Sequence, residues 1–417
     1  MFRAHQRICL TAFLVDFSVM AGLVATPFFV VNQLGGGPGM AGLFGTAQAA
    51  AYAAACLVSS RFVSRVKNGL NCATIGLVSF TLLYTAMPWF RTPWICCLVS
   101  ATGIGSLALV WPALHSWIGA EPDPVQRARH MGWFNISWSF GFAISPLLAG
   151  PLYDVDYRLP FVMLFGLCMV ILALVRSLPH ETEYFGAASA EFLAERDEHD
   201  RASEACLYAA WGATLAANLL AGVSRSVFPT RVQELVESGR LRLLFEAEPA
   251  AFLSGVPATT YSWLAFGMAF ATALVFLVMG GTVRWRHRIH CLLAPQLAAG
   301  GAFWLLGHTE SLAIMMACFV VVGLNLGVCF FSSTYYSVAD PSQKHRRAAI
   351  NEAAVGIGGT GCIAFGFLAE RFGYALPFHA TPLLMAAAVG LQLALFRYGS
   401  MKAMRRRQAV PQPLGVD

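Results

Sequence analysis

From Ile8 to Val31 the chain runs for 24 residues with a single charged side chain, Asp16. About 20 apolar residues in a helix cross the ~30 Å hydrocarbon core of a bilayer, because each residue adds 1.5 Å. The run is too long for the apolar core of a signal peptide and lacks a convincing cleavage site, so it reads as a membrane-spanning helix. Eleven further runs follow, bounded by glycine, proline or charge, at 41–60, 70–88, 94–118, 131–152, 159–178, 206–228, 259–282, 290–307, 311–338, 349–370 and 377–397. The expected fold is therefore all-α, an integral membrane protein of twelve transmembrane helices, with no room for a large soluble domain in 417 residues.

Charge and cysteine usage exclude several other classes. Only 12% of residues are charged and the mean hydropathy is +0.61, far from the ~25% charged residues of a soluble domain. The net charge of +6 comes from short basic clusters between apolar runs, not from one basic face, so nucleic acid is not an expected partner. With a cytoplasmic N-terminus, 21 Lys and Arg fall in inside segments and 6 in outside segments, Arg225 lying within a span. Cytoplasmic termini in a multi-pass cell (inner) membrane protein are the expectation. The eleven cysteines have no metal-ligand spacing and read as small buried hydrophobes, so neither metal nor cofactor is expected. No phosphate loop, H-x-x-x-H pair or nucleophile elbow occurs in a suitable context, and "GIGGTG" (356–361) reads as glycine-rich packing inside a span; an enzyme is not expected.

The chain also repeats itself. At a spacing of 217 residues, Asp123-Pro124 matches Asp340-Pro341, Arg129 matches Arg346, Gly141 matches Gly358 and Pro160-Phe161 matches Pro377-Phe378. The layout expected is an N-terminal six-helix bundle (1–179), a cytoplasmic linker rich in mixed charge (180–205), a C-terminal six-helix bundle (206–398) and a basic tail (399–417). The segment 229–258 is an unusually long outside loop whose alternating apolar and charged residues suggest an amphipathic lid or interfacial helix.

Over nearly its whole length this pattern resembles the major facilitator superfamily of secondary transporters. The loop after the second span, "SRFVSRVKN", keeps Arg65 of the family's G-x-x-x-D-R-x-G-R-R but has Ser64 at the acid position. Its counterpart after the eighth span, "GTVRWRHR", keeps Gly281 and Arg286 and has Trp285 there. The fifth span reads "GFAISPLLAG", similar to G-x-x-x-G-P-x-x-G-G at Gly141, Pro146 and Gly150, a motif associated with exporters and antiporters. The fourth span has Ser100 where proton-driven drug antiporters of the family usually carry arginine. The resemblance implies two pseudo-symmetric six-helix bundles, a solute site between them, and alternating access inclined to efflux.

Polar side chains inside spans map the expected pathway, because in lipid they must face the bundle interior or a cavity. Asp16, His115 and Glu352 are the proton-coupling candidates. Trp111, Asn135, Trp138, Asn218, Arg225, Asn325, Ser332 and Tyr336 are the candidates for lining a solute cavity. Asn325, Cys329, Ser332 and Tyr336 fall on one helical stripe. Rise per residue puts Asp16 about 12 Å into its span and Arg225 ~15 Å higher, near the outer end of the seventh, so a direct bridge is not expected and His115 or Asn135 is the expected neighbour of Asp16. The expectation is a monomeric secondary transporter of a small organic solute, coupled to protons and embedded in lipid. The alternatives are an uncoupled facilitator and a non-transporting receptor or scaffold.

Overall fold

The structure is a computed structural model that describes residues 4–63, 69–119, 124–179, 200–243, 256–282, 284–338 and 344–409. The family-motif loop around Ser64 and Arg65, most of the linker (180–199), part of the outside loop (244–255) and the end of the tail (410–417) lie outside the described residues. The first half comprises α1 (Ala4–Leu34), α2 (Pro38–Val63), α3 (Gly69–Ala86), α4 (Pro93–Ser106), α5 (Val110–Gly119), α6 (Pro124–Val155) and α7 (Leu159–Arg176). The second comprises α8 (Asp200–Ser226), α9 (Phe228–Glu237), α10 (Pro257–Gly281), α11 (Ile289–His308), α12 (Leu312–Val338), α13 (Lys344–Gly359), α14 (Cys362–Phe372), α15 (Ala375–His379) and α16 (Thr381–Ala409). The one β-type pairing among the described residues is an isolated bridge between Arg242 and Ser311.

Eleven of the spans are long and apolar enough to cross a membrane by composition alone. The twelfth, α6, has 32 residues but carries Asn135, Ser137, Ser139 and Ser145, which lower its hydropathy. It satisfies them inside the bundle: Ser145 Oγ donates to Phe17 O of α1 at 2.6 Å, and α6 packs against α1 and α10. Large apolar side chains such as Leu57, Ile75, Leu98, Met169 and Val278 stay exposed on the outer surface, where lipid is their solvent. All eleven cysteines are free thiols, nine of them buried.

Four of the described spans are interrupted, the twelfth only at Ala380 between α15 and α16, and the other three interruptions have local causes. Pro112 has no N–H to give to Ala108 O, so α4 passes into α5 through the 3₁₀ turn Leu107–Leu109. Ser59 Oγ of α2 donates to the freed Ala108 carbonyl at 3.2 Å. Span eleven breaks between Gly359 and Cys362, where Thr46 Oγ1 of α2 donates to Thr360 O at 2.8 Å and accepts from Ile363 N at 2.9 Å. The "GIGGTG" segment thus packs and also breaks the helix. The seventh span differs most from expectation. It stops at Ser226, turns at Val227 and continues as α9 to Glu237, because Pro229 sits in a helical first turn where its missing N–H costs nothing.

The first part of the 229–258 segment is therefore helix, as its amphipathic alternation suggests, but as a continuation of the seventh span that buries Phe228, Pro229, Val232, Leu235 and Val236. Beyond it, Arg242 N donates to Glu310 O at 3.0 Å and Leu312 N to Arg242 O at 2.8 Å, strapping the segment to the α11–α12 turn.

The 217-residue repeat has a packing counterpart. A Cβ at Gly141 would meet the Phe13 carbonyl of α1, and a Cβ at Gly358 would meet the Leu215 carbonyl of α8. The same glycine thus lets the fifth span cross the first and the eleventh cross the seventh. Between the halves, α2 lies along α13 and α14, and α6 along α10.

Candidate functional site

Asp16 lies twelve residues beyond Ala4, in the middle of α1, because the helix starts earlier than the apolar run does. Arg225 is also in mid-span, because α9 extends the seventh span twelve residues past it. The separation between Asp16 and Arg225 is smaller than the helix rise implied, since each lies within electrostatic reach of the other and Glu352 of α13 within reach of Asp16, while the expectation that they form no direct bridge stands. No Asp16–Arg225 ion pair closes to 4.0 Å among the described residues. Arg225 Nε instead donates to Ala221 O at 3.0 Å, and its guanidinium carbon stands 5.8 Å from the centre of the Phe142 ring of α6. Tyr261 of α10 donates to Ser224 O at 2.9 Å beside it.

Glu352 is tied across the halves, since Tyr52 Oη of α2 donates to its Oε2 at 2.9 Å. Its neighbour Asn351 is buried and accepts from Ser333 Oγ of α12. Asp16 of α1 thus has Arg225 of α8 and Glu352 of α13 within electrostatic reach and in contact with neither, two carboxylates and one guanidinium that leave one negative charge uncompensated when all are ionised. A charge in such surroundings is costly unless paired or protonated, so the arrangement suits the holding and release of a proton.

The other expected residues separate into groups. Trp138 and Asn135 sit together, Trp138 Nε1 donating to Asn135 Oδ1 at 3.1 Å. The Trp138 ring meets Phe276 of α10 at 5.3 Å and Phe330 of α12 at 5.8 Å, edge-on, so it does bridge the halves. Trp111 packs edge-on against Phe134 of α6 at 6.3 Å, inside the first half. The side chain of His115 lies outside the described residues.

Asn218 donates to Thr214 O in its own helix at 2.9 Å and lies beneath Gly358. The stripe Asn325, Cys329, Ser332 and Tyr336 does not face the other half. Asn325 accepts from Cys329 Sγ at 3.4 Å, the Cys329 carbonyl accepts from Thr214 Oγ1 at 2.9 Å, and Tyr336 Oη accepts from His287 N at 3.0 Å. Ser332 is buried beside Cys206 and Trp285. These residues belong to the interior of the second half, against α8 and the α10–α11 turn.

Tyr52, Phe142 and Tyr261 were missed. For Tyr52 a signal existed: in "AQAAAYAAAC" Gln48, Tyr52 and Cys56 fall at i, i+4 and i+8, a polar stripe through alanines. Among the described residues no group of three or more His, Cys, Asp or Glu could hold a metal ion.

Residues 8–230 match the family model for the Major Facilitator Superfamily. No curated protein matches the chain in sequence. Among solved structures, the chain is similar to the nucleoside transporter NupG, with 12% identity, a TM-score of 0.67 and coverage of 95% of this chain and 100% of that one. It is similar to a bacterial homologue of the human lysosomal transporter Spinster in an inward-facing, unoccupied conformation: 15% identity, TM-score 0.68, 97% and 98% coverage. A POT family transporter in complex with 5-aminolevulinic acid gives 12% identity, TM-score 0.70 and 95% and 97% coverage. At these identities the likeness is one of fold.

Proposed function

Because the chain belongs to the Major Facilitator Superfamily, we propose that it is a secondary transporter moving a small organic solute by alternating access, its halves rocking about the Asp16, Arg225 and Glu352 cluster. The observation that carries this reading is that a carboxylate of the second half, Glu352, is held by a hydroxyl of the first, Tyr52, with Asp16 within electrostatic reach of Glu352 and of Arg225 and paired with neither. A single proton balances the cluster. Rocking the halves changes the Tyr52–Glu352 contact and the distance from Asp16 to Arg225, so proton affinity differs between the two states and transport is coupled to the proton gradient. The fifth-span motif at Gly141, Pro146 and Gly150 inclines the reading to efflux. The basic-residue bias supports cytoplasmic termini in a cell membrane, and the protein acts as a monomer.

The test begins with a thermal-stability screen of metabolites and drugs on the purified protein at two pH values, since a ligand that binds the folded state raises its melting temperature. Flux of the stabilising compound is then followed in proteoliposomes with and without a pH gradient. Asp16→Asn is expected to lose gradient-driven flux by at least about 100-fold, about 2.7 kcal/mol in barrier, while melting as the wild type does. Gradient-dependent flux retained by Asp16→Asn rejects the coupling role. Wild-type flux indifferent to the gradient indicates an uncoupled facilitator, and a protein stabilised by no small molecule indicates a receptor or scaffold.

A further inference from the structure

At the face away from the chain termini, two carboxylates cross from one half to the helix starts of the other. Asp154, next to the end of α6, accepts from Thr259 N at 2.7 Å and Ala258 N at 3.3 Å, the first free amides of α10 after Pro257. Glu370, near the end of α14, accepts from Gly39 N at 2.9 Å, the amide that follows Pro38 at the start of α2. In each case an acid closing one span meets the prolyl start of a span in the opposite half. The two acids are equivalent under the 217-residue repeat to within one position, and the two helix starts lie 219 residues apart, so the contacts are related by the pseudo-two-fold that relates the halves.

Both contacts combine charge-assisted hydrogen bonds with the positive end of a helix dipole. Each sits where backbones come close. A Cβ at Gly39 would collide with the Glu370 carboxylate and stand 3.1 Å from the Phe367 ring, and a Cβ at Gly366 would meet the Pro38 carbonyl. A Cβ at Gly150 would lie 2.6 Å from Ala258 O. A third link on this face, from Gln233 of α9 to Asn32 of α1, has no symmetric partner among the described residues.

We infer that Asp154 and Glu370 are a symmetric pair of latches that hold this face closed, and that both must release for the halves to part there. Neither acid touches the Asp16, Arg225 and Glu352 cluster. The latches act on the equilibrium between closed and open faces and not on the solute site, and the inference rests on the alternating-access reading. Because each half supplies one acid and one helix start, the two contacts strain together when the halves rotate, which favours a concerted opening.

Spin labels on exposed Thr92→Cys of the first half and Leu376→Cys of the second report the opening in the purified full chain by electron–electron distance measurement, with the unsubstituted protein as background. In the wild type the short, closed-face distance is expected to dominate, with a longer one as a minor population. Asp154→Ala with Glu370→Ala is expected to raise the longer population about tenfold or more, each single change shifting it the same way by less.

Gly39→Ala, which displaces the Glu370 carboxylate without removing it, is expected to mimic Glu370→Ala. Glu370→Gln, whose amide oxygen still accepts, is expected to restore most of the closed population. A double variant that melts as a folded protein and keeps the wild-type distance distribution overturns the latch. Should the double variant not fold, an unchanged distribution in Gly39→Ala does the same. A wild type with one distance at every pH and with every stabilising compound overturns alternating access itself, separately from the latch.

Discussion

Two polar groupings inside the bundle show the same sequence signal and meet different fates. Asp16, Arg225 and Glu352 come from three helices of both halves and converge between them, with charges left without a close partner. Asn325, Cys329, Ser332 and Tyr336 share one face of one helix, and that face turns into the second half, where backbone groups and small side chains take up most of its hydrogen bonds. The first grouping can change its partners when the halves move; the second moves as one body with its neighbours. Periodicity identifies a polar face, and only the neighbour on that face decides whether it is a working surface or a packed interior.

The largest expected effect that separates the two is at Arg225. Arg225→Met leaves Asp16 and Glu352 without a nearby cation; because no ion pair is closed, the cost is less than the roughly 3–5 kcal/mol of a broken buried salt bridge. Flux in proteoliposomes should fall by at least about 100-fold, and thermal stability should fall with it. Adding Asp16→Asn to Arg225→Met should return part of the stability but none of the gradient-driven flux. If the single variant melts like the wild type, the charges do not act on one another and the first grouping loses its distinction.

A smaller effect is expected at Tyr52. Tyr52→Phe removes the hydrogen bond that ties Glu352 to the other half, worth about 1–2 kcal/mol, and should lower flux roughly tenfold with little change in melting temperature. Flux equal to the wild type would mean that this contact does not move in the cycle.

The smallest effect is expected in the stripe. Asn325 is fully buried, its Oδ1 accepts only a weak S–H donor, and its Nδ2 has no hydrogen-bond partner among the described residues. Asn325→Ala removes an unsatisfied donor and leaves a small cavity, two effects that oppose each other, so stability should change by about 1 kcal/mol or less and flux should be unchanged. A marked loss of flux without loss of folded protein would return the stripe to the solute pathway.

Much of this was legible before the fold. Asp16, Glu352 and Arg225 each stood out because an ionised group in a span is expensive and rarely accidental. Their association was not legible, for a specific reason: Pro229 followed by polar residues read as the start of a loop, and depth was counted from that boundary. Proline in a first helical turn is compatible with helix, so the seventh span ran on and lowered Arg225 toward mid-membrane. The break at Leu107–Leu109 had a signal in Pro112 that went unread. Tyr52 escaped because a tyrosine among alanines looks like packing until its hydroxyl finds a carboxylate from the other half.

By itself the sequence determined that this chain spans a bilayer, how many times, and that its halves are copies. Those properties depend on the length and spacing of apolar runs and on residues that recur at one interval, which are local or one-dimensional quantities. The tertiary structure decided which polar groups meet. A helical pattern defines faces relative to one another on the same helix, but the rotation, depth and tilt of that helix come from packing against others, as at Gly141 on Phe13 and Gly358 on Leu215. Convergence of Asp16, Arg225 and Glu352 needs three such placements at once, and no single segment contains that information.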